Sequence, residues 1–349
     1  MKKRLVWLAL LLLTTAAEAS AQRKFNVYAV GFYNLENLFD TCHDVGKNDF
    51  EYLPDKGWNA LKYSHKLRNM ARVLADMGSD VLPPSVGCAA IGVSEVENAK
   101  ALTDLCNQEP LKARNMQFAH VEGPDRRGID CALIYNPKLF AVENVCLHPY
   151  VQALEKDSGY CTRGFLEVSG RMADEPVTII VNHLPSRFQG SFYREQGAKQ
   201  LRHIKDSLLA DDPKRKVMIM GDMNDDPTDR SMAVELRGRR EIKEVEEGDM
   251  YNPWWNVLAK EGKGTLMYNG SWNLFDQILL TPNLLDRKGR KDYRELTYLK
   301  HNVFRRDYLL QQDGKYKGNP LRTKAGGVWL DGFSDHLPVV VYLVKEVGR

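Results

Sequence analysis

Neither sign of charge dominates this chain: across 349 residues, 49 Lys and Arg stand against 46 Asp and Glu, a formal +3. No whole-molecule field draws in a polyanion, so any preference for acidic substrates has to come from local clusters. Cysteine is sparse, and its six residues include no Cys-x-x-Cys spacing, which argues against a zinc ribbon or a redox dithiol. No Pro/Gly/Ser-rich linker and no repeat of fixed period divides residues 22–349, so one domain is the simplest account. No run beyond residue 21 is apolar enough to cross a bilayer. The chain is nonetheless 43% hydrophobic, 9% aromatic and 27% charged. That composition supplies a large packed core and excludes disordered, collagen-like and coiled-coil classes.

The first residues have the pattern of a processing signal. Lys2, Lys3 and Arg4 precede an apolar stretch, 5–13, too short to span a membrane, and Ala19-Ser20-Ala21 supplies a small-x-small cleavage site. The expectation is a signal peptide over 1–21, export to the periplasm or beyond the cell, and a catalytic domain over 22–349. Without the leader, 46 basic residues face 45 acidic ones. Export permits disulfides among Cys42, Cys88, Cys106, Cys131, Cys146 and Cys161, and the sequence does not choose among the pairings. Cys131 lies in an apolar run and reads as a small buried residue.

Short apolar runs alternate with amphipathic stretches. Residues 27–33, 89–93, 131–135, 177–181, 217–220, 275–280 and 338–344 are β-rich and bounded by turn residues, as buried strands are. Leu67, Met70, Ala71, Leu74 and Met77 recur at helical spacing before Gly78; Ala198, Leu201, Ile204, Lys205 and Leu208 do so before 211–213. Both predict helices with one buried face, and the class is α/β. Residues 285–327 differ, with twelve Lys/Arg against five acidic residues and four interleaved tyrosines. This basic insertion is either a solvated charged segment or a basic, aromatic surface that grips a phosphate polymer.

The chemistry is concentrated at strand tips. Asn34 and Glu36 follow the first run, Glu95 the second and His183 the fourth; Asp222 and Asn224 follow the fifth, and Asp335-His336 precede the last. A single Asp at such a place is usually a turn former or cap. Five tips with polar ligand-type residues together point to one crevice, because strand ends converge there in open α/β architectures. Asn, Glu and Asp offer hard oxygens, which suit Mg²⁺ or Mn²⁺, or Ca²⁺, rather than zinc. Phosphoryl transfer needs charge neutralisation, an oriented water and a proton donor for the leaving group, and this set contains groups for each.

Six blocks together resemble the endonuclease/exonuclease/phosphatase superfamily of deoxyribonuclease I-like hydrolases. They are Asn34 in Phe-Tyr-Asn-Leu-Glu-Asn, Glu95 in Ser-Glu-Val-Glu-Asn, His183 in Val-Asn-His-Leu-Pro-Ser-Arg, Asp222 and Asn224 in Gly-Asp-Met-Asn-Asp, Asp276 in Phe-Asp-Gln-Ile-Leu-Leu, and Asp335-His336 in Ser-Asp-His-Leu-Pro-Val. They occur in the family's order across nearly the whole chain. The resemblance implies an α+β four-layer sandwich, two packed mixed β-sheets flanked by helices, with the site at one sheet edge. It implies that Glu95 is the principal metal ligand, helped by Asn34 and Asp335. Asp222 would orient or deprotonate the attacking water, with Asn224 beside it. His336, paired to Asp276, would stabilise the pentacovalent phosphate, and His183 would assist the leaving group with Asp130 as its acidic partner. Arg187 is either a phosphate clamp or a solvated loop charge, and Arg126-Arg127 either steer an anion or form a polar turn. Glu36 and Glu97 are expected to shape loops. The implied activity is a secreted, divalent-metal-dependent phosphodiesterase, a nuclease on DNA. A sphingomyelinase-like or sugar/inositol phosphoesterase uses the same residues, and a non-catalytic binding module is the remaining alternative.

Overall fold

The computed structural model describes residues 23–151 and 159–347; the expected leader lies outside the described residues. Four-layer packing follows from strands that are apolar on both faces, since each sheet then has to be covered twice. The first sheet holds β1 (Phe25–Leu38), β2 (Ala90–Val96), β3 (Gln117–His120), β4 (Asp130–Tyr135), β14 (Thr297–Val303) and β17 (Val339–Glu346), in the order β14-β17-β1-β2-β4-β3. The second holds β5 (Phe140–His148), β6 (Phe165–Met172), β7 (Glu175–His183), β8 (Lys216–Asp222), β9 (Gly238–Arg239), β10 (Met250–Tyr251) and β13 (Asp276–Leu280), in the order β5-β6-β7-β8-β13-β10-β9. Two hairpins complete the β structure: β11 (Leu266–Tyr268) with β12 (Ser271–Asn273), and β15 (Lys324–Ala325) with β16 (Val328–Trp329).

Alternation along each strand divides the core. Val30 and Phe32 of β1 point between the sheets, against Leu166, Ile179, Met218 and Ile278. Tyr33 and Leu35 turn the other way and meet α1 (Ala60–Asp76) through Leu67, Met70 and Leu74, in a cluster that α2 (Ala99–Cys106) and α3 (Glu109–Lys112) join through Leu102, Leu105 and Leu111. On the outer face of the second sheet, Ile180, Val217 and Ile219 receive Ala198 and Leu201 of α4 (Ser191–Asp211). Each of these fully buried aliphatic side chains contributes roughly 1.5–3 kcal/mol relative to exposure. Gly92 is required by the closeness of the sheets, because a Cβ there would stand 2.5 Å from the Met220 sulfur.

All seven sequence-expected strands and both helices are present, as β1, β2, β4, β7, β8, β13 and β17 with α1 and α4. The α4 helix starts before its apolar pattern, at Ser191, because its first buried side chain is the charged Arg194. All six cysteines are free thiols, and Cys131 is buried. Within 285–327, β14 pairs with β17 from Thr297↔Val344 to Val303↔Val339. That register divides the basic segment along the sheet. Arg287, Arg290 and Arg294 precede β14 at the Val344 end, whereas Arg305, Lys315, Lys317 and Arg322 follow it at the Val339 end, where the polar strand tips gather.

Candidate active site

Strand register assembles the centre. In the second sheet β7 and β8 are parallel with His183 opposite Asp222, and β8 and β13 are antiparallel with Asp276 opposite Asp222. Three residues far apart in sequence are therefore neighbours across three adjoining strand ends. The first sheet contributes Asn34, Glu95 and the Asp335-His336 turn that leads into β17. Local backbone aims these groups. Glu36 and Glu95 lie at register shifts in β1 and β2 with φ of 49° and 61°, and Asn224 has φ of 50°. Non-glycine residues rarely adopt such values, and bulges that re-aim side chains concentrate at functional sites.

Asp222 is the hub. Its Oδ2 accepts from Asn34 Nδ2 at 3.0 Å and lies 3.5 Å from His183 Nε2 and 3.7 Å from His336 Nε2. Its Oδ1 accepts the Asn224 backbone N–H at 3.0 Å. Burial lifts the Asp222 carboxyl to about 7; His336 pulls it down and Asp276 adds to the rise. For His336, burial opposes the charge, but Asp276 and then Asp222 outweigh it and hold the imidazole well above its ordinary range. The Asp276 Oδ2 to His336 Nδ1 bond is 2.7 Å. His183 is the reverse case: burial drives it well below its ordinary range, and Arg163, Arg127 and His336 act in the same direction. Two histidines flank one carboxylate, one cationic and one neutral near pH 7. His183 Nδ1 is buried without a hydrogen-bond partner. The neutral ring is therefore assigned its proton on Nε2, towards Asp222, since a buried unpartnered N–H costs more than a buried lone pair.

Glu95, Asp222, Asn224, His183, Asp335 and His336 line one cleft of about 640 Å³, together with Arg126, Arg127 and Arg163. Glu95 accepts the Asn37 N–H through Oε2, and Asp335 accepts Arg322 Nη2 through Oδ2 at 3.0 Å. Each keeps a second carboxylate oxygen outside these bonds. Asn34 spends its amide nitrogen on Asp222 and accepts the Glu36 N–H at 2.8 Å with Oδ1, whose second lone pair remains. The donors are hard oxygens without sulfur, which fits Mg²⁺, Mn²⁺ or Ca²⁺. Glu95, Asp335 and Asn34 would hold such an ion, which when bound polarises a phosphoryl oxygen and offsets its charge. Asp222, Asp276 and His336 also group within 4.8 Å. The Asp276–His336 bond commits that pair to each other, so these three suit proton handling and charge stabilisation better than metal ligation.

Two placements correct expectations from sequence. Asp130 is not the partner of His183: its carboxylate accepts from His120 Nε2 at 3.0 Å and from the Gly123 N–H at 3.0 Å. Arg187 is not poised as a phosphate clamp. It donates to the Asn224 carbonyl, Asn273 Oδ1, Asp226 and Asp229, and stacks 4.5 Å from the Phe275 ring centroid, so its donors are committed to fastening the 224–229 loop. Arg126 and Arg127, left open by sequence, do face the cleft. Glu36 shapes its surroundings by accepting Arg322 Nε at 2.8 Å and the Thr323 N–H at 2.7 Å. Sequence reasoning missed Arg163, a buried guanidinium that donates to Asp125 at 3.2 Å and the Leu184 carbonyl at 3.0 Å. It also missed Arg322, which bridges Glu36 and Asp335. Neither stands in a motif; only the unusual density of cations in 285–327 pointed towards Arg322.

The endonuclease/exonuclease/phosphatase family model matches residues 29–345. The chain belongs to that family. Comparison with curated proteins gives no match. Among solved structures, an endonuclease/exonuclease/phosphatase family protein from Bacteroides thetaiotaomicron is similar at a TM-score of 0.56 and 15% identity, over 93% of this chain and 100% of that one. A mannosyl-6-phosphatase from the same species gives 0.54 and 15%, over 90% and 99%. TDP2 from D. rerio, complexed with a single-strand DNA product, gives 0.53 and 13%, over 91% and 98%. At such identities these likenesses establish the deoxyribonuclease I-like fold alone. Membership sets the coarse activity, phosphoester hydrolysis, in a family that typically uses a divalent metal. No described helix is long and apolar enough to cross a membrane.

Proposed function

We propose that this protein is an exported, divalent-metal-dependent phosphodiesterase that cleaves nucleic acid, DNA first, by attack of water on phosphorus. One observation carries the reading: a buried carboxylate, Asp222, stands between neutral His183 and cationic His336, itself bonded to Asp276, in a cleft that also holds Glu95 and Asp335. Asp222, titrating near 7, takes the proton of the attacking water. The cationic His336 stabilises charge on the non-bridging oxygens. Neutral His183 donates an Nε2–H hydrogen bond to the departing oxygen and keeps its proton; that oxygen is protonated from solvent, and Asp222 returns its own proton to solvent after product release. Arg126 and Arg127 hold the anion over the cluster. The basic segment 285–327 and the leader at 1–21 support a polymeric substrate met outside the cytoplasm.

The test uses purified residues 22–349 on supercoiled plasmid with Mg²⁺, Mn²⁺ or Ca²⁺. Nicking that EDTA abolishes, and that Asp222→Ala and His336→Ala abolish without altering the circular dichroism spectrum, is the expected result. DNA left intact with all three ions rejects the nuclease. A second reading, a phosphomonoesterase, draws support from three guanidiniums in one cleft, Arg126, Arg127 and Arg163, and from the phosphatase among the similar structures. Inorganic phosphate released from a monoester panel, with plasmid untouched, would select it. Inertness towards every phosphoester would leave the non-catalytic module.

A further inference from the structure

A second cavity, of about 380 Å³, opens beside the catalytic cleft and shares Leu266 and Asp335 with it. One wall is the β11–β12 hairpin. Its tip is the two-residue turn Asn269-Gly270, both at positive φ, the geometry of tight hairpins. The hairpin is keyed to the catalytic histidine: Leu266 bridges His336, and the Leu337 N–H donates to the Thr265 carbonyl at 2.8 Å. The opposing wall is the loop closed by the Leu310↔Pro320 bridge and by paired backbone bonds between Gln311 and its partners Gly318 and Asn319. Arg305 ties the walls together, lying 5.3 Å from the Trp272 ring centroid and donating to the Gly318 carbonyl at 3.3 Å. Each wall presents one exposed tyrosine to this cavity, Tyr268 at 65% and Tyr316 at 54% exposure.

We infer that this cavity is a subsite for a heteroaromatic ring, the nucleobase carried next to the scissile phosphate. The inference rests on the phosphodiesterase reading for the position of that phosphate. Asp335 stands in both cavities, so a substrate seated over the catalytic cluster reaches the second one within one ester linkage. Its lining is suited to a flat, weakly polar ring. Tyr268 and Tyr316 offer faces for stacking, Met267 offers a polarisable thioether, and Gln311 and Asn319 are amides of the kind that read base edges. A pyranose would call for carboxylates on its hydroxyls, and the only one lining the cavity, Asp335, is bonded to Arg322. The tyrosines belong to no motif of the catalytic cluster, and Tyr316 lies in the basic, aromatic segment whose role the sequence left open.

The experiment compares thymidine monophosphate with deoxyribose 5-phosphate in equilibrium binding. It also compares thymidine 5′-(p-nitrophenyl phosphate) with methyl p-nitrophenyl phosphate in turnover. Wild type should favour the nucleotide about tenfold in each pair, through Kd and KM. Tyr268→Ala and Tyr316→Ala should each erase most of that preference, while Tyr268→Phe and Tyr316→Phe keep it within about threefold. Equal binding of the two phosphates by wild type, or a preference that survives both alanine variants, overturns the subsite. A hexosyl p-nitrophenyl phosphate that depends on the tyrosines more than the nucleoside ester does also overturns the heteroaromatic assignment. Tyrosine-dependent nucleotide binding with no ester turned over would support the subsite and refute the phosphodiesterase reading instead.

Discussion

Asp222→Asn should make the protein more stable while disabling it. A carboxyl that titrates near 7 rather than near its ordinary 3.8 resists ionisation because it is buried. At about 1.4 kcal/mol for each tenfold step in proton affinity, holding it charged at pH 8 costs the folded state about 4 kcal/mol. Asparagine escapes that cost. It introduces an N–H where a carboxylate oxygen received Asn34 Nδ2, and an ill-matched donor there returns roughly half the gain. The net expectation is a stabilisation of about 2 kcal/mol, or about 3 °C in Tm for a domain of this size. The sign fixes the pH window. A raised carboxyl pKa gives stability that is fully present below the ordinary value and lost as pH rises through the folded one. Wild type should therefore fall behind the variant progressively from about pH 4 to pH 7, with a constant gap above. Thermal unfolding of both proteins between pH 4 and 8 in EDTA reads this directly, since a bound cation would stabilise wild type by mass action. Turnover should fall at least about 100-fold. A variant less stable than wild type at pH 8, or a gap that does not change with pH, refutes the placement of Asp222 as a desolvated hub.

Glu95→Gln exchanges a charged hard oxygen for a neutral one, so the metal concentration for half-maximal activity should rise at least about tenfold with Tm nearly unchanged; a metal titration with parallel melting curves checks it. His183→Ala should lower kcat by about 10²–10³ on an alkyl leaving group, whose developing charge loses a hydrogen-bond donor, and much less on p-nitrophenolate, which delocalises its own charge; an equal loss on both would make His183 a positioning residue. Arg187→Ala should loosen the 224–229 loop, costing about 1 kcal/mol of stability and lowering kcat with little change in KM, whereas a phosphate clamp would raise KM. Asp130→Asn should disturb His120 rather than His183, leaving kcat within about threefold and destabilising by about 1 kcal/mol in denaturant unfolding.

The parts of the fold legible in the sequence are those whose strands are covered on both faces. Residues 177–181 and 217–220 are continuous apolar runs because β7 and β8 sit mid-sheet between α4 and the other sheet. Edge position hid β5 and β14, and polar residues hid the interior strand β6. β5 is half exposed along Phe140–His148, β6 carries Glu167, Ser169 and Arg171, and β14 is buried inside a basic segment whose charge obscures its strand pattern. In the site, residues at strand tips were readable because strand ends converge. Arg163 and Arg322 were not, because each acts through partners distant in sequence, Asp125 and Leu184 for the first, Glu36 and Asp335 for the second. Asp130 was misread, and Arg187 left undecided, for the same reason: their residue types suited histidine and phosphate, but donors and acceptors elsewhere in the chain had already taken them.

The pairing of His183 and Asp276 with Asp222 means that the reactive cluster has no framework of its own; it is a by-product of how β7, β8 and β13 line up. A shift of β8 by one position would turn Asp222 to the other side of the sheet and bring Gly221 into its place, so errors of alignment during folding extinguish activity even where the core still closes. The same dependence frees the connecting loops. Provided the strands stay in step, the loop tips that bear Tyr268, Tyr316 or Arg126 can vary, and one bond-breaking centre can be refitted to new substrates by altering only its borders.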